Sequence, residues 1–191
     1  MTALEIVTDV AKRLDSAAIP YVVGGSLSSS AWGQQRQTND ADLALLVTQN
    51  DIDRVVAAFD DPYLLSKPEL IKTLAEPRPF RSVQLLHMDE AFKVDLFLLG
   101  DDEYARSELE RARLVPVGVD VSVRFASPEN IVIAKLRWFV LGNRVSDRQW
   151  NDIVQVLEVQ RGKLDGPYLD HWANHFEVHE LLEQARSQAY S

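Results

Sequence analysis

Cysteine is absent from the 191 residues, so neither a disulfide framework nor a thiolate metal site is open to this chain. Any metal must sit on oxygen or imidazole, and the composition suits a reducing cytoplasm, the expected location. Long apolar runs are missing too. No stretch approaches the ~20 apolar residues of a membrane span. The opening MTALEIVTDVAKRLD brings in charged residues too early for a signal peptide. Basic residues are in the minority, 20 against 29 acidic ones, for a formal net charge of −9. That balance argues against a broad phosphate-tracking surface, although a local basic patch is compatible with it. Glycine and proline are sparse at 8 each, and the 46% hydrophobic and 26% charged residues describe a globular chain. Its length fits one core, or a core domain with a small helical appendage.

Apolar residues at Leu4, Val7, Val10, Ala11 and Leu14 predict an amphipathic helix ending near Ala17. Tyr21-Val22-Val23 reads as a short strand, Gly24-Gly25-Ser26 as a tight turn and Leu27 to Gln35 as a helix. Asp42 to Val47 predicts a strand, and Asp51 to Phe59 a helix with an Ile52, Val55, Val56 and Phe59 stripe. Pro62, Pro68, Pro77 and Pro79 mark Asp61 to Phe80 as a mobile or substrate-facing loop with at most one short helix. Ser82 to His87 and Phe92 to Leu99 predict a hairpin turning at Met88-Asp89-Glu90. A charged helix over Asp101 to Ala112 leads to strands at Leu114 to Val117 and Val119 to Phe125. From Ser127, a cap followed by Pro128, the pattern is helical only, with a stop at Gly142-Asn143 and helices over Ser146 to Gln160, Pro167 to Asn174 and Val178 to Gln188. Strands clustered before helices predict an α+β part over residues 1–125 and a helical C-terminal subdomain, 126–191, packed on it.

Three carboxylates stand out. Asp40 and Asp42 are one residue apart, so on extended backbone both side chains point to one face. Two like charges that close repel, and a cation between them is one good reason for the spacing. Asp95 interrupts the apolar strand Phe92-Lys93-Val94-Asp95-Leu96-Phe97, where a carboxylate needs either a partner, such as Lys93, or a metal. Three aspartates on adjacent strands suit Mg²⁺, which takes oxygen ligands and leaves positions to phosphates and water. The glycines of Gly24-Gly25-Ser26 let backbone approach a phosphate, and the following helix presents free amides to it.

In order, these residues resemble the nucleotidyltransferase superfamily typified by DNA polymerase beta. The pattern runs Val23-Gly24-Gly25-Ser26, then Thr38-Asn39-Asp40-Ala41-Asp42-Leu43, then Val94-Asp95-Leu96. The resemblance implies a mixed sheet flanked by helices, with Asp40 and Asp42 binding two metals, Mg²⁺ or Mn²⁺. It also implies that Asp95 binds the catalytic metal and helps deprotonate the attacking hydroxyl. The stretch Ser127-Pro128-Glu129-Asn130-Ile131, Ala134-Lys135-Leu136 and Asp147-Arg148-Gln149-Trp150-Asn151-Asp152-Ile153 is similar to the helical part of AbiEii-like toxin nucleotidyltransferases. By that similarity Lys135 reaches the triphosphate of the NTP, while Arg148 and Asp152 line the same cleft. Read from the residues alone, Lys135 is a snorkelling surface lysine and Asp152 a solvated helix carboxylate.

The activity this implies is transfer of a nucleoside monophosphate to a hydroxyl on RNA, protein or a small molecule, with Lys67, Lys72, Arg78 and Arg81 as expected acceptor contacts. The alternative is a catalytically silent nucleotide-binding or partner-binding protein, such as a toxin–antitoxin component. Other features point less far. His171, His175 and His179 recur every four residues, but they fall on two expected helices and lack a zinc-protease pattern. Ser26, Ser28, Ser29 and Ser30 form no Gly-x-Ser-x-Gly elbow, and the four tryptophans are expected in cores and interhelical seams.

Overall fold

The computed structural model describes every residue of the chain except Arg36, Asn39 and Arg78. Contacts divide it into two compact units: Met1–Ser26 with Thr38–Phe125, and Leu27–Gln37 with Ala126–Ser191. No helix among the described residues is long and apolar enough to cross a membrane.

The first unit begins with α1 (Ala3–Ser16), started by a capping box in which the Thr2 side chain and Glu5 satisfy each other's free backbone amides. Its buried stripe is Ile6, Val7, Val10, Ala11 and Leu14, whereas Leu4 is exposed, so the helix is rotated slightly from the expected face. Strands β1 (Tyr21–Val23), β2 (Ala41–Leu46), β3 (Tyr63–Leu65), β4 (Ser82–His87), β5 (Phe92–Leu99), β6 (Arg113–Gly118) and β7 (Val121–Phe125) form one mixed sheet in the order β3-β4-β5-β2-β1-β7-β6. Every residue of β1 is buried, because α1 and α5 (Glu103–Glu110) both contact this central strand.

The segment between Asp61 and Phe80, expected as a loop with at most one short helix, holds that helix, α4 (Lys67–Leu74), and also the unexpected strand β3, which pairs with β4. The physical reason is that Pro68 lies in the first turn of α4, where proline is tolerated, and the Ser66 side chain caps it by accepting from the Glu69 amide. Strand β2 is followed by a 3₁₀ turn at Gln49–Asp51 and α3 (Ile52–Ala57). The Thr48 amide and hydroxyl both donate to Asp51, whose carboxyl is held below the usual carboxylate range chiefly by the backbone bond.

The second unit is helical. It comprises most of α2 (Gly25–Trp32) with α6 (Pro128–Leu141), α7 (Asp147–Val159), α8 (Gly166–His175) and α9 (His179–Tyr190). Helix α6 buries residues around most of its circumference, including Glu129, Asn130 and Lys135, and is its central helix. Its start is fixed by buried Ser127, which accepts from the Asn130 amide. The end of α2 is tied in by the Trp32 indole donating to the Ala126 carbonyl at 2.7 Å and by Gln160 donating to the Trp32 carbonyl at 2.8 Å. Ile131, Ile133, Leu136 and Ile153 are among its fully buried side chains, each worth roughly 1.5–3 kcal/mol of burial.

Candidate active site

Alternation along β2 and β5 decides which carboxylates meet. In β2, Ala41, Leu43 and Leu45 are buried while Asp42, Ala44 and Leu46 are half-buried; in β5, Val94, Leu96 and Leu98 are buried while Asp95 and Phe97 are half-buried. The two strands are parallel neighbours with Asp42 directly opposite Asp95. Residues in register on adjacent strands share a face, so both carboxylates stand on the less covered side of the sheet. The row continues outward to Gln84 of β4, which is opposite Asp95, and inward to Gly24, whose amide donates to the Asp42 carbonyl at 2.9 Å.

The glycine turn fits against this row. Gly25 has φ of +53°, and a Cβ built on it would lie 1.8 Å from Asp42 Oδ2. Gly25 therefore meets two requirements at once: left-handed backbone, and room for the Asp42 carboxylate directly against the first residue of α2. Asp40 is exposed at the entrance to β2, where its amide donates to Thr38 Oγ1 and its carbonyl accepts from the same hydroxyl, both at 3.2 Å. Asn39 lies outside the described residues. Lys93, two residues before Asp95 in β5, brings its ammonium to 3.9 Å from Asp95 Oδ2.

Asp42 and Asp95 thus share one sheet face, but with Asp40 they are not drawn into a closed cluster. Among the described residues, the side chains that each place a ligand atom within 4.8 Å of the others are Asp170, His179 and Glu183.

In the helical unit, Lys135 and Asp152 are both buried, contrary to the surface positions read from the residues alone. Lys135 Nζ donates to Asp152 Oδ2 at 2.8 Å and to Gln149 Oε1 at 3.1 Å, and Ser29 Oγ of α2 donates to Asp152 Oδ2 at 3.4 Å. Arg148, one residue before Gln149, is exposed. Of the basic residues expected at the acceptor, Arg81 donates to the carbonyls of Leu74, Glu76 and Leu98, and Lys67 pairs with Asp53 at 2.5 Å. Arg78 lies outside the described residues.

Sequence reading missed Gln84, Gln149 and Ser29. The outward position of Gln84 is legible from Val83-Gln84-Leu85, but its match to Asp95 is set by the hairpin register. Gln149 and Ser29 carry no local signal, because their roles arise only where α2, α6 and α7 meet.

No family model matches the chain, and no curated protein matches it. Solved structures do match over nearly its whole length. The chain is similar to ANT(2'')-Ia in complex with adenylyl-2''-tobramycin, at 12% identity and a TM-score of 0.60, covering 93% of this chain and 98% of that one. It is similar to an antigenic nucleotidyltransferase-like protein from Paracoccidioides brasiliensis at 18% identity and a TM-score of 0.54, over 97% of this chain and 92% of that one. The solution structure of ANT(2'')-Ia matches at 14% identity and a TM-score of 0.52, over 95% and 94%. At such identities the likeness is one of fold: the chain has the α+β nucleotidyltransferase fold, with its mixed seven-stranded sheet.

Proposed function

We propose that the protein transfers a nucleoside monophosphate from an NTP to a hydroxyl acceptor and releases pyrophosphate. The observation that carries this reading is the in-register pair Asp42 and Asp95, with Gly25 seated against the Asp42 carboxylate. The acceptor oxygen bonds to the α-phosphorus, the bond from that phosphorus to the bridging oxygen of the pyrophosphate breaks, and pyrophosphate departs. Asp95, as general base, takes the hydroxyl proton.

The fitness of the site for a divalent ion rests on its donors: carboxylate oxygens only, two of them on neighbouring strands and one at a strand entrance, a set suited to hard ions such as Mg²⁺ or Mn²⁺. Asp40, Asp42 and Asp95 would hold such ions, which supply positive charge to the phosphate oxygens and acidify the attacking hydroxyl. With the Gly24 amide held by the Asp42 carbonyl, Gly24 shapes the turn, and Gly25 and Ser26 present the start of α2 to the triphosphate. Lys135 and Asp152 enter the proposal as a coupled pair, since each is the other's partner.

Incubation with α-labelled NTP, Mg²⁺ and candidate acceptors tests the reading, with Asp42→Asn as control. Transfer of label with pyrophosphate release, lost in the variant, is the expected result. Nucleotide binding without release in the wild type, across RNA, protein and small-molecule acceptors, would reject it in favour of a binding protein.

A further inference from the structure

The helical unit carries a second group of metal-type side chains that the proposed reaction does not use. Asp170 lies on α8; His179 and Glu183 lie four apart on α9 and so share one helix face. One ligand atom from each lies within 4.8 Å of the other two. Arg186 explains part of this arrangement. Its Nη1 donates to Asp170 Oδ1 at 2.6 Å and to Glu183 Oε1 at 2.7 Å, which holds the two carboxylates in place. The ion pair uses one oxygen of each carboxylate and does not involve His179. The half-buried imidazole has no hydrogen-bond partner among the described residues, yet stands against both acids.

We infer that Asp170, His179 and Glu183 form a divalent transition-metal site bridging α8 and α9, with Arg186 holding the two carboxylates through one oxygen of each. The ligand set selects the class of ion. One imidazole and two carboxylates favour Zn²⁺ or Co²⁺ over Mg²⁺ or Ca²⁺, which prefer oxygen alone. Around a tetrahedral ion with bonds of about 2.1 Å, ligand atoms stand roughly 3.4 Å apart, so the separations within the 4.8 Å envelope close by at most about 1.4 Å. Two carboxylates and one guanidinium leave a single net negative charge. Such a partly exposed site binds more weakly than a closed structural zinc centre, and three protein ligands leave a position for water. The hydrogen bonds to Arg186 act as outer-shell support of the kind that fixes ligating carboxylates elsewhere.

The test is titration of the full-length, EDTA-stripped protein with Co²⁺, read by visible absorption, and with Zn²⁺, read by calorimetry. Asp42→Asn serves as the background in which the proposed catalytic site is disabled. One equivalent is expected to bind in that background, with affinity reduced at least tenfold by His179→Ala and also by Glu183→Gln on the exposed side of the site. A Co²⁺ spectrum and Zn²⁺ stoichiometry unchanged by both substitutions would overturn the site, as would the absence of saturable binding. Because the readouts are spectroscopic and calorimetric, failure here leaves the transferase proposal standing.

Discussion

Gly25 shows how much a single residue decides. Its neighbour across the turn is a carboxylate oxygen, 1.8 Å from where a Cβ would sit, and its backbone is left-handed at +53°. Gly25→Ala must therefore displace Asp42 as well as strain the backbone, at a strain cost of about 1–2 kcal/mol. Misplacement of a reacting group by about 1 Å can cost roughly a hundredfold in rate. Label transfer by Gly25→Ala is expected to fall by about that factor or more, while the variant stays folded in a melting experiment. A folded variant with wild-type rate would show that the Asp42 position against the turn is unimportant. Asp95 is a different case. Its half-buried place beside Lys93 was legible as a polar interruption of an apolar strand, but its neighbour across the sheet, Asp42, was fixed by strand register.

Among the elements, α6 and α7 carry the least expected arrangement. Lys135 and Asp152, at 5% and 6% side-chain exposure, form a buried ion pair supported by Gln149 and by Ser29 of α2. Removing one partner of such a pair typically costs about 3–5 kcal/mol, whereas replacing both with apolar groups is often neutral. Lys135→Met is accordingly expected to lower unfolding free energy by that amount in urea titrations, and the double change Lys135→Met with Asp152→Leu to recover most of it. If Lys135→Met is neutral, the pair does not organise these helices. Burial of Lys135 was not readable from sequence, because a lysine on an apolar helix face is ordinarily expected to snorkel, and only the facing helix supplies the carboxylate that keeps it inside. The stretch from Asp61 to Phe80 holds the one short helix its pattern allowed, begun at Ser66 and Pro68, but its prolines hid the strand Tyr63–Leu65 that joins the sheet edge.

For the molecule as a whole, the formal charge of −9 sets what it will approach. An acidic surface repels polyanions over the Debye length, about 8 Å at physiological salt. Labelled RNA oligonucleotides are therefore expected to bind more weakly than about 10 μM at 0.15 M salt, with a shallow salt dependence, in anisotropy titrations. Tight binding with a steep salt slope would instead reveal a concentrated basic surface and make RNA the leading acceptor class.

Local chemistry was enough to read most elements and the fold class. Alternation, caps and glycine turns act over a few neighbouring residues, and so does the order Gly-Gly-Ser, Asp-x-Asp, Asp. The mixed seven-stranded sheet and its likeness to solved nucleotidyltransferases agree with that reading. What the sequence could not give was any relation set across distance: Asp42 opposite Asp95, Gly25 against Asp42, Lys135 inside with Asp152, and Leu27–Gln37 grouped with the C-terminal helices. Each depends on which surfaces pack together, and packing is decided by the fit of whole faces, which no short stretch of chain contains.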